Sequence, residues 1–163
     1  MTIFAPVEDG RAPPLKVDLL VLPETSLLSL ASVMEPLRGA NRVAGRRLFE
    51  WRLWSVDGRA PESSSGLPIA VQGRFEPAAA GRAVIVLSSF NVDAYATPSV
   101  LGVLRRAARG EAGRSGAAMG GVEAGAWLLA RAGLLDGRRA TTHWEDLEAF
   151  ADAHPLFCFI LVR

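Results

Sequence analysis

The chain has 163 residues, of which 50% are hydrophobic and 21% are charged, and 18 lysines and arginines against 17 acidic residues leave a formal net charge of +1. These values exclude an intrinsically disordered chain, which would combine low hydrophobicity with high net charge. The balanced charge argues against direct nucleic-acid binding by this chain. One cysteine and two histidines exclude a disulfide framework and a metal cage built from several such ligands. We therefore expect no metal and no cofactor.

The first fourteen residues contain three prolines and a glycine, and we predict a flexible lead over 1–14 followed by one domain over 15–163. The lead lacks the basic start and apolar run of a secretory signal. No apolar stretch reaches the roughly 18 residues that a membrane span requires. The sequence thus predicts a cytoplasmic protein that does not associate with membranes.

Strands and helices alternate along the chain. Predicted strands, in chain order, cover residues 15–22, 49–56, 67–71, 83–87, 117–119 and the apolar run 156–162. Predicted helices cover residues 26–43, 98–109, 126–132 and 143–153, the last of them capped by Thr142. This alternation predicts an α/β fold with a mostly parallel sheet, in which 83–87 is central because it is apolar on both faces.

The most informative segment is the glycine-rich turn at 120–125. Gly121, Glu123 and Gly125 have the G-x-Nu-x-G spacing of a nucleophile elbow, whose glycines are needed because a Cβ would crowd the neighbouring backbone. An enzyme would place Ser or Cys at the centre, and a carboxylate is a poor substitute in acyl transfer. Glu123 would also occupy the backbone N–H donors of the helix start that an oxyanion needs. In the alternative interpretation, these glycines merely form a tight strand-to-helix turn.

Four segments carry a resemblance to a known family: 20–23, 34–41, 120–132 and 132–144. The last, AGLLDGRRATTHW, is the most specific. From Leu19 to His154 the sequence resembles the DJ-1/PfpI branch of the class I glutamine amidotransferase-like superfamily, and most closely the amino-terminal domains of AraC-type (GlxA-like) transcriptional regulators. The resemblance implies a flavodoxin-like three-layer α/β sandwich.

Catalytic members of that superfamily have a cysteine at the elbow, a histidine after the next strand and an acidic residue after the first strand. The resemblance maps these positions onto Glu123, His143 and Ser29, so two of the three catalytic residue types are absent. It implies a non-catalytic pocket that senses a small nitrogenous metabolite, such as an amine or an amino-acid derivative. The expected pocket residues are Gly121, Glu123, Ala124, Gly125, His143, Asn91 and Ser29.

Two alternatives remain open for the function. The chain is either an enzyme of the amidase or hydratase type, with Glu123 as general base and His143 as its partner, or a remnant of the fold that binds no ligand. His143 also has a structural interpretation, in which it caps or packs the helix it begins. Cys158 is interpreted as a buried, inert thiol, and Glu35 as an ion-pair partner of Arg38 on the next turn.

The family resemblance also bears on the end of the chain. Family domains continue with further strands and a closing helix, followed by a helix-turn-helix pair, whereas eight residues follow Pro155 and no helix-turn-helix pattern occurs. We therefore expect a C-terminally truncated sensor domain that acts in transcription through a DNA-binding partner. Apolar sheet surface left uncovered would favour a homodimer.

Overall fold

The structure, a computed structural model, describes residues 12–110 and 115–155 and the backbone of residues 158–159. Its main sheet contains the strands β1 (Leu15–Val21), β2 (Phe49–Trp54), β3 (Ala83–Ser88) and β4 (Ala118–Glu123). They pair in parallel in the order β2-β1-β3-β4. The most apolar strands, β1 and β3, thus occupy the centre, where helices cover both faces. Two short strands, β5 (Arg139–Ala140) and β6 (Cys158–Phe159), form a separate parallel pair.

Helices lie on both faces of the main sheet. The α-helices of the described residues are α1 (Leu27–Ala44), α2 (Val92–Tyr95), α3 (Pro98–Arg109), α4 (Gly125–Arg131) and α5 (Leu147–Ala153). Leu30 of α1 packs with Val17 and Leu19 on one face. Leu104 of α3 and Leu128 of α4 pack with residues on the other face. This arrangement confirms the predicted three-layer α/β sandwich.

The longer helices begin and end where their capping residues predict. The Ser26 hydroxyl accepts the first-turn N–H of Ser29 at 3.4 Å, and Gly45 ends α1 in the left-handed conformation at φ 63°. Thr97 caps α3 in the same way, with its hydroxyl 3.3 Å from the N–H of Val100. Local hydrogen bonding therefore sets both boundaries within about a residue of their predicted positions.

The predicted strand at 67–71 is wrong. Pro68 forms an isolated bridge with Glu62, and the N–H of Ile69 donates to the carbonyl of Pro61 at 2.8 Å. The segment is therefore a loop that hydrogen-bonds to residues 61–63 just before it. Ile69 is nevertheless buried against the α1 face of the sheet, so its apolar character reflects core packing.

The predicted boundaries of the glycine-rich turn and of the last helix need correction. Residues Gly120 and Gly121, predicted as a turn, continue β4 by pairing with Ile85 and Val86, because glycine retains the backbone groups that a ladder needs. The predicted helix at 143–153 begins with a 3-10 turn at Trp144–Asp146, and only Leu147–Ala153 is α-helical. Thr142 does not cap it, since its hydroxyl donates to the Glu123 carbonyl oxygen at 3.4 Å.

Some predictions lie outside the described residues. These are most of the predicted lead, most of the apolar run 156–162, and the environment of the Cys158 side chain. Within the described residues, no helix is long and apolar enough to cross a membrane.

A buried carboxylate connects the centre of the sheet to its surroundings. Asp18 of β1 is fully buried, and its oxygens accept hydrogen bonds from the Arg52 guanidinium at 2.8 and 3.0 Å and from the Trp54 indole at 2.8 Å. The N–H of Gly81, just before β3, donates to it at 2.6 Å. Asp18 thus links β1, β2 and the start of β3, and its desolvated charge is both paired and hydrogen-bonded.

Replacing Asp18 with alanine should lower the free energy of unfolding by about 3 kcal/mol, because it removes the acceptor of four hydrogen bonds from three residues at once. This value is at the low end for a broken buried ion pair, since Arg52 retains some solvent contact. Urea unfolding followed by circular dichroism measures the effect. The matched control is Glu35→Gln, which breaks the exposed Glu35–Arg38 pair and should leave the midpoint unchanged. Equal losses in the two variants would contradict the assigned role of Asp18.

Candidate functional site

The backbone at the end of β4 has the strained geometry of an elbow. Glu123 is the last residue of the strand and has a φ of 51°, in the left-handed region that costs a non-glycine residue about 1–2 kcal/mol. The helix α4 begins two residues later. Such a conformation persists only where the surrounding structure enforces it, and Glu123 lies between two glycines at which the backbone packs closely.

Both glycines are required by close backbone contacts. A Cβ on Gly125 would lie 2.3 Å from the carbonyl oxygen of Val86, and one on Gly121 would lie 2.6 Å from the backbone nitrogen of Ala126. Neither distance is sterically possible. The G-x-Nu-x-G spacing therefore indicates an elbow in which α4 begins in direct contact with β3.

The carboxylate of Glu123 is engaged by the first helix. The hydroxyl of Ser29, a buried residue in the first turn of α1, donates a hydrogen bond to Glu123 Oε1. These two side chains meet because parallel strands β1 and β4 end at the same edge of the sheet. Among the described residues, the side-chain hydrogen bond of this carboxylate comes from Ser29, and its interaction with backbone N–H groups of the helix start stays a prediction.

A second hydroxyl beside the elbow was missed by sequence reasoning. Ser88, the last residue of β3, pairs in register with Glu123 and is 1% exposed. Within the described part of the chain its Oγ has no hydrogen-bond partner. A serine at the end of an apolar strand carries no sequence motif. Only the strand register identifies it as a neighbour of the elbow.

Among the described residues, neither a hydrogen bond nor an ion pair joins His143 to Glu123. The Nδ1 atom of His143 lies 3.7 Å from a carboxylate oxygen of Glu145, and its ring is 5.7 Å from that of Trp144. The adjacent Thr142 reaches the elbow carbonyl instead. His143 precedes the 3-10 turn without capping it through its side chain.

Asn91 lies in a different crevice. Its amide donates to the carboxylate of Glu24, and both residues have left-handed backbones, with φ values of 50° and 59°. They line a cavity of about 450 Å³ together with Phe90 and the 62–66 loop. This crevice lies where the loops after β1 and β3 diverge, the place where open α/β sheets commonly bind ligands. Neither Glu123 nor His143 lines it.

The described residues offer no metal centre, since they contain no cluster of three or more histidine, cysteine, aspartate or glutamate side chains placed to hold an ion.

Substituting Gly125 with alanine should destabilise the fold by about 2 kcal/mol or more, because the new methyl group collides with the Val86 carbonyl. Gly39 in α1 provides the control, since a Cβ there meets nothing within 4 Å. Gly39→Ala should stabilise the chain by about 0.5–1 kcal/mol. Thermal unfolding of both variants measures the contrast, and a harmless Gly125→Ala would contradict the close approach.

Two substitutions at the elbow separate backbone strain from side-chain contacts. Glu123→Ala and Glu123→Gly both remove the carboxylate, but only glycine tolerates a φ of 51°. We expect the glycine variant to be more stable than the alanine variant by about 1 kcal/mol, the reverse of the usual order in strands and helices. Denaturant titration of the pair decides this. An alanine variant that is the more stable of the two would show that residue 123 is unstrained.

The chain is similar to known transcriptional regulators. No protein-family profile matches the chain. The HTH-type transcriptional regulator GbdR of Pseudomonas aeruginosa is 39% identical over 156 residues, which are 95% of this chain and 41% of the regulator. A protein of Streptomyces lividans encoded in the cpoL 5' region is 35% identical over 144 residues, which are 88% of this chain and 98% of that protein.

Solved structures agree with these relatives. An AraC family transcriptional regulator from Pseudomonas putida matches with a TM-score of 0.76 and 26% identity, over 91% of this chain and 77% of that one. DJ-1beta of Drosophila melanogaster shares the fold with a TM-score of 0.70 at 13% identity, over 93% and 76% of the two chains. The present chain spans about two fifths of the length of GbdR. Its homologues are transcriptional regulators of the AraC type, and its fold is that of the DJ-1 and ThiJ/PfpI proteins.

Proposed function

We propose that the chain is the non-catalytic, ligand-sensing domain of an AraC-type transcriptional regulator. One observation carries this proposal: the elbow keeps its backbone geometry, while its nucleophile position holds a carboxylate that is already hydrogen-bonded to Ser29. The left-handed backbone at Glu123 and the hydrogen bond from Ser29 fix this carboxylate at the carboxyl edge of the sheet. A polar group held there without a thiol supports a binding role.

The arrangement of the other candidate residues argues against the enzyme alternative. A general base at Glu123 would need a partner to accept or relay its proton, and the proposed partner His143 is engaged near Glu145 instead. The Ser29 hydroxyl donates to the carboxylate that an incoming substrate would have to reach. Similarity to regulators of the HTH type supports the same conclusion.

The proposed ligand-binding site lies at the elbow. Gly121, Glu123, Ala124 and Gly125 would shape it together with Ser29, and His143 and Asn91 would contribute only if a bound ligand drew their loops towards it. The ligand class is a small amine or amino-acid derivative. Transcriptional control would require DNA binding by another domain or partner, and we expect the sensor to act in the cytoplasm as a homodimer.

Ligand binding and catalysis can be tested on the same sample. Thermal-shift screening against small amines and amino-acid derivatives should find a compound that raises the melting temperature, because a ligand specific to the native state stabilises by about 2.7 kcal/mol at a hundred times its Kd. The shift should shrink in Ser29→Ala and Glu123→Gln and persist in the control Glu35→Gln. Hydrolysis of simple amides should be undetectable.

Each alternative function predicts a different result in that experiment. Amide turnover that disappears in Glu123→Gln would establish the enzyme alternative. A chain that no compound stabilises would be a structural remnant.

A further inference from the structure

Exposed arginines collect at the amino edge of the main sheet, where β1 to β4 begin. Three lie at the end of α1 and in the loop to β2, one just before β3 and one at the end of α3: Arg42, Arg46, Arg47, Arg82 and Arg109. No ion pair between described residues includes any of them. Lys16 is also exposed there, but Glu50 lies beside it in register and offsets its charge. The five arginines form a basic surface, which we call the arginine edge.

Backbone hydrogen bonds bring the segments of the arginine edge together. The N–H of Leu15 donates to the carbonyl of Leu48 at 2.8 Å, which joins the loop after α1 to the start of β1. The N–H of Arg82 donates to the carbonyl of Lys16 at 3.0 Å, and the Arg82 carbonyl accepts the N–H of Ala118 at 2.9 Å. Because neighbouring strands lie about 4.8 Å apart, the starting points of the four strands span about 14 Å. The arginines are therefore spread along one continuous edge of the fold.

The opposite edge of the sheet, where the strands end, has the reverse charge. Glu24 and Asp57 follow β1 and β2, and Glu123 ends β4. Glu62 lies at the same edge, since its carbonyl accepts the N–H of Glu24 at 2.7 Å, and Arg59 is a cation among these acids. The net charge of +1 thus conceals a separation of charge between the two edges. Such a field attracts a polyanion to the arginine edge and repels it from the elbow.

We propose that the arginine edge binds the phosphate backbone of duplex DNA without reading its sequence. Arginine offers a planar fork of donors that matches phosphate oxygens, and a duplex presents one negative charge per about 1.7 Å of its axis. An acidic protein fits less well, because a protein interface has an apolar core. Among the large apolar side chains that the described residues expose, only Val43 belongs to the segments of this edge.

This inference goes beyond the ligand-sensing function and does not rest on it. Phosphate contacts hold a protein on a duplex but select no site, so recognition of an operator still requires another domain or partner. The inference departs from the expectation based on net charge, because the total averages over two edges of opposite sign. With the arginine edge on DNA, the elbow at the carboxyl edge faces away from the duplex and stays open to a ligand.

The test measures binding of the full chain to a short fluorescent DNA duplex of arbitrary sequence by anisotropy, from about 50 to 200 mM salt. The logarithm of the binding constant should fall with the logarithm of the salt concentration with a slope of about −4, since each contacted phosphate contributes about −0.9. Arg46→Gln combined with Arg47→Gln should reduce the size of this slope by about 2 and weaken binding at least about tenfold at the lowest salt. Arg82→Gln combined with Arg109→Gln should have the same effect.

The matched control is Arg59→Gln combined with Arg74→Gln. It removes the same charge from exposed arginines at the carboxyl end of β2, where Arg74 bridges to Ser55, and should leave the slope unchanged. Circular dichroism checks that all three double variants are folded, as substitutions of exposed side chains should allow.

Several results would overturn the proposal. They are the absence of DNA binding at the lowest salt, a slope that neither double variant at the arginine edge changes, and an equal loss of binding in the control. Poly-L-glutamate that competes for the chain as well as unlabelled duplex would assign the edge to an acidic protein and reject DNA binding. Because these titrations contain no small ligand, their failure leaves the sensing function, which the thermal-shift screen tests, unaffected.

Discussion

The near-contact between the start of α4 and β3 is the constraint on which the site depends. Only a hydrogen atom fits between the Gly125 α-carbon and the Val86 carbonyl, so α4 can start this close to β3 only with glycine at residue 125. The chain leaves β4 through residue 123 in the left-handed conformation. That turn presents the side chain at the carboxyl edge of the sheet. The hydrogen bonds of the buried Asp18 join β1 to β2 and to the segment before β3. They therefore stabilise the centre of the sheet that carries the elbow.

Within this frame, two positions have exchanged their chemical character. The family resemblance expects an acid after the first strand and a nucleophile at the elbow, whereas this chain has the hydroxyl of Ser29 on α1 and the carboxylate of Glu123 on the turn. Their hydrogen bond joins the two elements without a reactive thiol. The strain at residue 123 thus persists in a site that lacks the nucleophile, which is the physical basis for interpreting it as a binding element.

Sequence patterns correctly predicted the features that depend on residues close together in the chain. The apolar runs of β1 and β3, the caps Ser26 and Thr97, and the glycine spacing of the elbow all act over a few residues, so periodicity and steric rules sufficed. The predicted strand at 67–71 failed because apolar residues that pack against a sheet without joining it produce the same pattern. The Thr142 cap failed because a distant acceptor, the Glu123 carbonyl, took its hydrogen bond.

By itself the sequence determined the layered α/β class, the elbow and the absence of its nucleophile, since each follows from residue identity at fixed spacing. Only the tertiary structure decided which candidate site residues lie close together. It joined Ser29 to Glu123 across 94 residues and placed Asn91 beside Glu24 in another crevice. It also brought His143 close to Glu145 and Ser88 alongside the elbow. These contacts depend on strand order and on the loops at one edge of the sheet, and neither is encoded in the spacing of residues along the chain.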